Sequence, residues 1–296
     1  MALPFSLPFA NSLIGNLIIL FILAVVMYLM SSKFKIEGNI GFAYTVYPWV
    51  ATFPETLVSS ITAVLGYPVV AIWNSVFSAT FDSAVVFGVS ALIHGKVEFR
   101  PRYLVIPTVL GGMIFSSLIV SDFRIGVFDG FILYVYLIAV SIIAIALYGF
   151  RVRVRDWPKI IFGLIGLALV AVVFSFYVMA LADLINHKIA GIVAAALTSF
   201  PDLIISIVYG IESDISQSEV LGCIMHDFAE NMATAAIIAG MFGVEIVDSN
   251  PLLTAIVVSL TMTILLATTI DGDIDIYDSI LLISSFILMS FFSLIL

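Results

Sequence analysis

Four carboxylates, Glu55, Asp82, Asp202 and Glu230, stand in stretches of this chain that are otherwise apolar. Near them in sequence lie hydroxyl and amide side chains, Thr52, Asn74, Ser78, Thr198, Ser199, Asn231 and Thr234, together with His226 and Asp227. Carboxylate, amide and hydroxyl oxygens are hard donors of the kind that surround Ca²⁺ or an alkali ion, whereas imidazole suits iron, manganese and zinc. The residue types therefore point to cation binding. Their densest cluster is "CIMHDFAENM", 223–232, which holds the chain's single cysteine and one of its three histidines.

The elements that carry these residues are expected to cross a membrane. The chain has 296 residues, 62% hydrophobic and 10% charged, with a mean hydropathy of +1.24. Such a composition belongs to an integral membrane protein and excludes a water-soluble domain. Apolar runs long enough for a bilayer core can be drawn at 11–34, 39–66, 68–94, 102–122, 126–150, 160–186, 188–213, 217–244, 250–270 and 272–296,. The opening segment "MALPFSLPFANS" has neither a basic region nor a small-residue cleavage site, so the first run is expected to be a retained helix,. One cysteine excludes an internal disulfide,. The net charge of −9 is spread between loops and spans, so its positions matter more than its total.

Basic residues set an expected orientation. The loops after spans 1, 3 and 5 hold Lys33, Lys35, Lys96, Arg100, Arg102, Arg151, Arg153, Arg155 and Lys159, and the opposite side holds Arg124 and Lys188. By the positive-inside rule the odd loops are cytoplasmic and both termini extracytoplasmic. The run "RVRVRDWPK" (151–159) reads as a topology determinant and not as a nucleic-acid patch.

That basic linker, 151–159, divides the chain into 1–150 and 160–296, each with five spans, and an odd number of crossings inverts the second set. An internal repeat fits this division. "ATFPETLVSS" (51–60) aligns with "TSFPDLIISI" (198–207), pairing Pro54 with Pro201 and Glu55 with Asp202. "NSVFSATFDSAVVFG" (74–88) lies over "HDFAENMATAAIIAG" (226–240), pairing Asn74 with His226, Ser78 with Glu230 and Asp82 with Thr234. The expected fold is an all-α integral membrane protein of ten transmembrane helices, arranged as two inverted five-helix repeats with proline-broken helices at the midplane.

Pro54 and Pro201 each remove a helix hydrogen bond and free a carbonyl, which in hydrocarbon must find a partner or line a cavity. A carboxylate near the bilayer centre costs roughly 3 kcal/mol unless it is paired, protonated or bound to a cation. Lys and Arg touch the drawn spans only at their ends, at Lys33, Arg102 and Lys188, so a structural ion pair near a span centre lacks its base. On a helical wheel Asn74, Ser78 and Asp82 fall within an arc of about 80°, and Cys223, His226, Asp227, Glu230, Asn231 and Thr234 within about 140°. Both helices carry one polar stripe.

At these residues the chain resembles the calcium/cation antiporter superfamily, which includes the sodium/calcium exchangers. Its repeats read G-T-S-x-P-E followed on the next helix by G-N-x-x-G-S-N-x-x-N/D. Here the first element is "VATFPE" (50–55) and "LTSFPD" (197–202), and the second is "WNSVFSATFD" (73–82) and "MHDFAENMAT" (225–234). The resemblance implies that Glu55 and Asp202 are the paired cation-binding acids and that Thr52, Thr198 and Ser199 stand at the motif hydroxyls. It further implies that Ser78 and Asp82 are first-half ligands, with Thr234 at the equivalent final position. Val50 and Leu197 replace the motif glycine, Glu230 stands where the family has serine, and His226 where it has asparagine.

The expected function is secondary antiport of a divalent metal, Fe²⁺ or Mn²⁺ favoured through His226, against Na⁺ or H⁺ by alternating access, with metal efflux as its direction. An ordinary Na⁺/Ca²⁺ or H⁺/Ca²⁺ exchanger is the alternative. An intramembrane aspartyl protease or a cation channel would also use buried polar groups, but neither requires a Pro-acid motif in each half. The expected partners are the transported cations and the lipid bilayer of a cell membrane, with no cofactor, nucleic acid or enzymatic activity. Cys223 and Met225 read as packing residues. The acidic run Asp271, Asp273, Asp275 and Asp278 fails as an EF-hand, since Ile276 stands at the glycine position and Leu282 at the closing glutamate,.

Overall fold

The computed structural model describes residues 8–31, 36–155, 157–211 and 213–295. Lys33 and Lys35, invoked above for orientation, lie outside the described residues. Fifteen helices follow in order: α1 Leu13–Ser31, α2 Ile40–Thr45, α3 Tyr47–Ala51, α4 Phe53–Val64, α5 Pro68–Phe81, α6 Phe87–His94, α7 Arg102–Asp122, α8 Val127–Tyr148, α9 Trp157–Leu184, α10 His187–Thr198, α11 Phe200–Tyr209, α12 Asp214–His226, α13 Met232–Met241, α14 Pro251–Thr269 and α15 Ile276–Ile295. π-helical turns at Asp82–Val86 and Asp227–Asn231 join α5 to α6 and α12 to α13.

Eight helical runs among the described residues are long and apolar enough to cross a membrane: Leu13–Ser31, Pro68–His94, Arg102–Asp122, Val127–Tyr148, Trp157–Leu184, His187–Tyr209, Pro251–Thr269 and Ile276–Ile295. The expected spans 39–66 and 217–244 are not among them. The first is broken into α2, α3 and α4, each too short to cross a bilayer alone,. The second runs from Asp214 to Met241 through its π turn, but carries Asp214, Glu219, Asp227 and Glu230.

Three two-stranded antiparallel ribbons tie the chain turns together. β1 (Ile36–Gly38) pairs with β4 (Val152–Val154), β2 (Val97–Glu98) with β6 (Asp273–Ile274), and β3 (Arg124–Ile125) with β5 (Ile246–Val247). The turn before α12 joins the β2 side, because Gln217 Nε2 donates to the Glu98 carbonyl at 2.8 Å and Arg100 lies 3.7 Å from Asp214. On the β3 side, the Tyr67 hydroxyl donates to Asp183 at 2.9 Å. The acids of the loop before α15 serve local structure: Asp273 pairs with Lys96 at 2.7 Å, and Asp275 Oδ1 accepts from the Tyr277 and Asp278 amides.

Burial is inverted relative to a soluble protein. Large apolar side chains such as Phe131, Val135, Ile138, Ile142, Phe162 and Leu169 are exposed, while Glu55, Asn74, Ser78, Asp82, His226 and Asp227 are buried. An apolar belt around a polar interior is what a bilayer solvent selects. The chain is therefore a multi-pass membrane protein. Small residues let the inner helices touch. A Cβ placed on Gly191 of α10 would stand 2.8 Å from Trp73 Cβ, 2.9 Å from the Val70 carbonyl oxygen and 3.2 Å from the Asn74 amide nitrogen of α5. Gly191→Val is therefore expected to separate α10 from α5, cost about 1–3 kcal/mol and displace Asn74. A lower melting temperature in detergent checks it, and an unchanged one would contradict the close approach.

Candidate functional site

The site is built on two helix breaks and two π turns. At Thr52, α3 stops and α4 restarts with Pro54 in its first turn; at Ser199, α10 stops and α11 restarts with Pro201 in its first turn. Proline fits there because the first-turn amide would have no helical partner anyway. Each restart places an acid, Glu55 or Asp202, in the first turn of a new helix. The positive end of that helix dipole favours the carboxylate anion.

Packing then crosses the two halves of the chain. α4, which carries Glu55, packs on the π turn at Asp227–Asn231, and α11, which carries Asp202, packs on the π turn at Asp82–Val86. α5 likewise meets the second π turn and α12 the first. As a result Asp82, Asp202 and Cys223 offer ligand atoms that all lie within 4.8 Å of one another. Two carboxylates this close repel by about 3 kcal/mol at an effective dielectric of 20, so a shared cation or proton stabilises the arrangement.

Several polar atoms here have no hydrogen-bond partner within the protein: Glu55 Oε2, Asn74 Oδ1, Ser78 Oγ and Asp82 Oδ1 in the first half, His226 Nε2 and Asp227 Oδ2 in the second. Asn74 shows how acceptors are left free. Its Nδ2 donates to the Glu55 carbonyl at 3.2 Å and to Ser59 Oγ at 3.0 Å, which turns Oδ1 away from both. The Thr52 hydroxyl donates to the Pro48 carbonyl at 2.9 Å and the Thr198 hydroxyl to the Ala194 carbonyl at 3.0 Å, so both keep their lone pairs. The Ser199 carbonyl receives the Asp202 amide at 3.2 Å. Among the described residues no Lys or Arg is buried.

His226, Glu230, Asp227 and Asn231 form a second network. His226 Nδ1 lies 2.8 Å from Glu230 Oε2, and the imidazole edge meets the Trp49 ring at 5.5 Å. Asn231 Nδ2 donates to Asp227 Oδ1 at 2.7 Å, and the Thr56 hydroxyl reaches Asn231 Oδ1 and, at 3.5 Å, Glu230 Oε1. Neither His226 nor Glu230 joins the group of Asp82, Asp202 and Cys223.

The π turns offer a second register for the two polar helices. Asp82 and Asp227 each open a π turn, and the residues four and eight places earlier are Ser78 and Asn74 in one helix, Cys223 and Glu219 in the other. Aligned on these turns, Asp227 stands opposite Asp82, where the ungapped alignment sets Thr234. Thr234 is half-buried and bonds the Tyr134 hydroxyl. The two registers differ by seven residues, about two helical turns, which returns to nearly the same face, so a regular wheel does not separate them,. Glu219 was missed, although the spacing 219, 223, 227 repeats 74, 78, 82. It lies within electrostatic range of Asp202.

A cleft of about 250 Å³ reaches Asp202. Met27, Tyr28, Tyr47, Pro54 and Tyr209 line it, and it opens near the last residues of α1 and α11. At the opposite end a depression of about 650 Å³ is lined by Asp183, Asn186, His187, Lys188 and Asn250, and touches none of the central acids.

Residues 157–295 match the family model of the sodium/calcium exchanger protein. The matched stretch is a little under half of the chain, and it resembles the sodium/calcium exchanger family. The chain superposes on the sodium-calcium exchanger NCX_Mj with a TM-score of 0.64 at 17% identity, covering 92% of this chain and 97% of that one. It shares the fold of the H⁺/Ca²⁺ exchanger CAX as well, with a TM-score of 0.69 at 15% identity over 98% of this chain and 86% of that one. No curated protein matches by sequence. Within this shared fold Glu55 of α4 and the polar side chains Asn74, Ser78, Asp82, His226 and Asp227 are buried, and Asp202 of α11 is partly exposed at the cleft.

Proposed function

We propose that this protein is a secondary active antiporter that exchanges a divalent cation for Na⁺ or H⁺ by alternating access. The observation that carries the reading is the set of buried carboxylates with no buried Lys or Arg among the described residues, several of whose oxygens have no protein partner. Glu55, Asp82 and Asp202, assisted by Asn74, Ser78, Thr52, Thr198 and Ser199, are the proposed ion ligands. Asp227, Glu230, His226 and Asn231 extend the site into the second polar helix. The exchangers NCX_Mj and CAX act on sodium and calcium and on protons and calcium, and the shared fold supports carrying cation exchange to this chain.

We further propose ten crossings in two inverted halves, 1–150 and 160–296, joined by 151–159, with both termini extracytoplasmic. The crossed packing of α4 and α11 on each other's π turns supports the inversion. The ribbons β1–β4, β2–β6 and β3–β5 join odd loops with odd and even with even, which supports alternating crossings. The cleft to Asp202 lies at the odd-loop end, so this conformation gives ion access from the cytoplasm, as metal efflux requires.

Two ion classes have support. The oxygens of Glu55, Asn74, Ser78 and Asp82 suit Ca²⁺,, and His226 Nε2 suits Fe²⁺ or Mn²⁺. Flux into proteoliposomes tests the function: uptake of ⁴⁵Ca²⁺ or Mn²⁺ driven by an opposing Na⁺ or H⁺ gradient is expected, and uptake that ignores both gradients would replace the antiporter with a channel. His226→Asn is expected to lower Mn²⁺ transport more than Ca²⁺ transport. If both fall alike, the imidazole serves to hold Glu230 and not to select the ion.

A further inference from the structure

Cys223 occupies the position in the second polar helix that Ser78 holds in the first, four residues ahead of an aspartate that opens a π turn. It is the chain's single cysteine and is buried. A buried thiol is commonly a packing residue, but this one is surrounded by acids. Its Sγ lies within 4.8 Å of carboxylate oxygens of both Asp82 and Asp202. Asp82 is 1% exposed and its Oδ1 has no protein partner, and Ser78, buried completely, is likewise unpartnered at Oγ.

We propose that Cys223, as a thiolate, is a direct ligand of the transported ion together with Asp82 and Asp202, and that this set gives the exchanger a preference for thiophilic divalent ions, Zn²⁺, Cd²⁺, Co²⁺ or Fe²⁺, over Ca²⁺. The inference rests on the reading of this site as the transport site. Thiolate sulfur is a soft ligand that binds such ions strongly and Ca²⁺ poorly. The geometry is within reach. With metal–sulfur and metal–oxygen distances near 2.3 and 2.1 Å, tetrahedral ligand atoms stand ~3.6 Å apart, so a separation of up to 4.8 Å closes by side-chain rotation. Asn74, Ser78 and Glu55 stay available for Ca²⁺ without the sulfur.

The proton balance follows from the ligand chemistry. The metal bonds to Sγ as the S–H bond breaks, and the proton leaves to water through the cleft that reaches Asp202,. When the metal departs, a proton returns to the thiolate. Movement of a thiophilic ion is thereby accompanied by proton movement in the opposite sense, which Ca²⁺ held by oxygens alone does not require of Cys223.

A single cysteine makes the test free of background. Purified wild-type protein titrated with Cd²⁺ or Co²⁺ is expected to show a sulfur-to-metal charge-transfer absorption, which Ca²⁺ displaces only at large excess. Cys223→Ser is expected to lose that absorption and about 100-fold in Cd²⁺ affinity, while Ca²⁺ binding changes less than about 3-fold. Bound Cd²⁺ without charge transfer in the wild type, or a Ser variant with an unchanged Cd²⁺-to-Ca²⁺ preference, would overturn the proposal. The wild-type spectrum needs no variant to fold and no transport to occur. A charge-transfer band in a protein that fails gradient-driven flux would leave the sulfur ligand standing and remove the exchanger reading instead.

Discussion

Glu55→Gln and Asp202→Asn are each expected to abolish gradient-driven cation flux, by about 100-fold or more, in protein that still inserts and folds. Removing one charge from a buried set of opposite charges costs about 3–5 kcal/mol, and both acids sit in the first turn of a restarted helix. Stability should move the other way. Without bound ion Glu55 is buried and Asp202 partly buried, with no Lys or Arg buried beside them among the described residues, so neutralising one relieves repulsion, and the ion-free melting temperature is expected to stay level or rise. The ion-induced increase in melting temperature should vanish, because only binding to the folded state produces it. Flux near the wild-type level from either variant would remove these acids from the transport site.

Asp227→Asn is expected to lose flux as completely as Asp82→Asn, whereas Thr234→Ala should keep most of it. This contrast tests the register that the π turns impose. Asp227 is 1% exposed, bonds Asn231 through Oδ1 and leaves Oδ2 without a protein partner. Thr234 instead bonds Tyr134 on α8. Equal flux measurements in the same liposomes decide it: loss with Thr234→Ala and retention with Asp227→Asn would restore the ungapped alignment of the two polar helices.

Much of this protein was legible in one dimension because the signals are local or additive. Hydropathy sums along the chain, so the membrane class and the eight long apolar helices follow from composition of windows,. A proline acts on its own backbone, so Pro54 and Pro201 mark the breaks at Thr52 and Ser199 within one or two residues,. Acids with no base near the centre of the apolar runs are visible as residue types alone, and the paired Pro-acid motifs carried the resemblance to the sodium/calcium exchangers.

Two features needed the tertiary structure. A helical wheel assumes a constant 100° per residue, and it held for Asn74, Ser78 and Asp82, which all precede or open their π turn. The ungapped alignment of the two polar helices set Thr234 opposite Asp82, two turns past Asp227 on nearly the same face,, and so passed over Glu219; the π turns at Asp82 and Asp227 supply the other register. The second feature is which groups meet. Sequence alone determined that Cys223 is unique and that Asp82 and Asp202 are intramembrane acids, residues 120 positions apart in the chain. That a thiol and these two carboxylates converge within 4.8 Å was decided by the packing of α11 and α12 on the Asp82 π turn, because long-range helix contacts depend on the shapes of both partners and leave no periodicity in either.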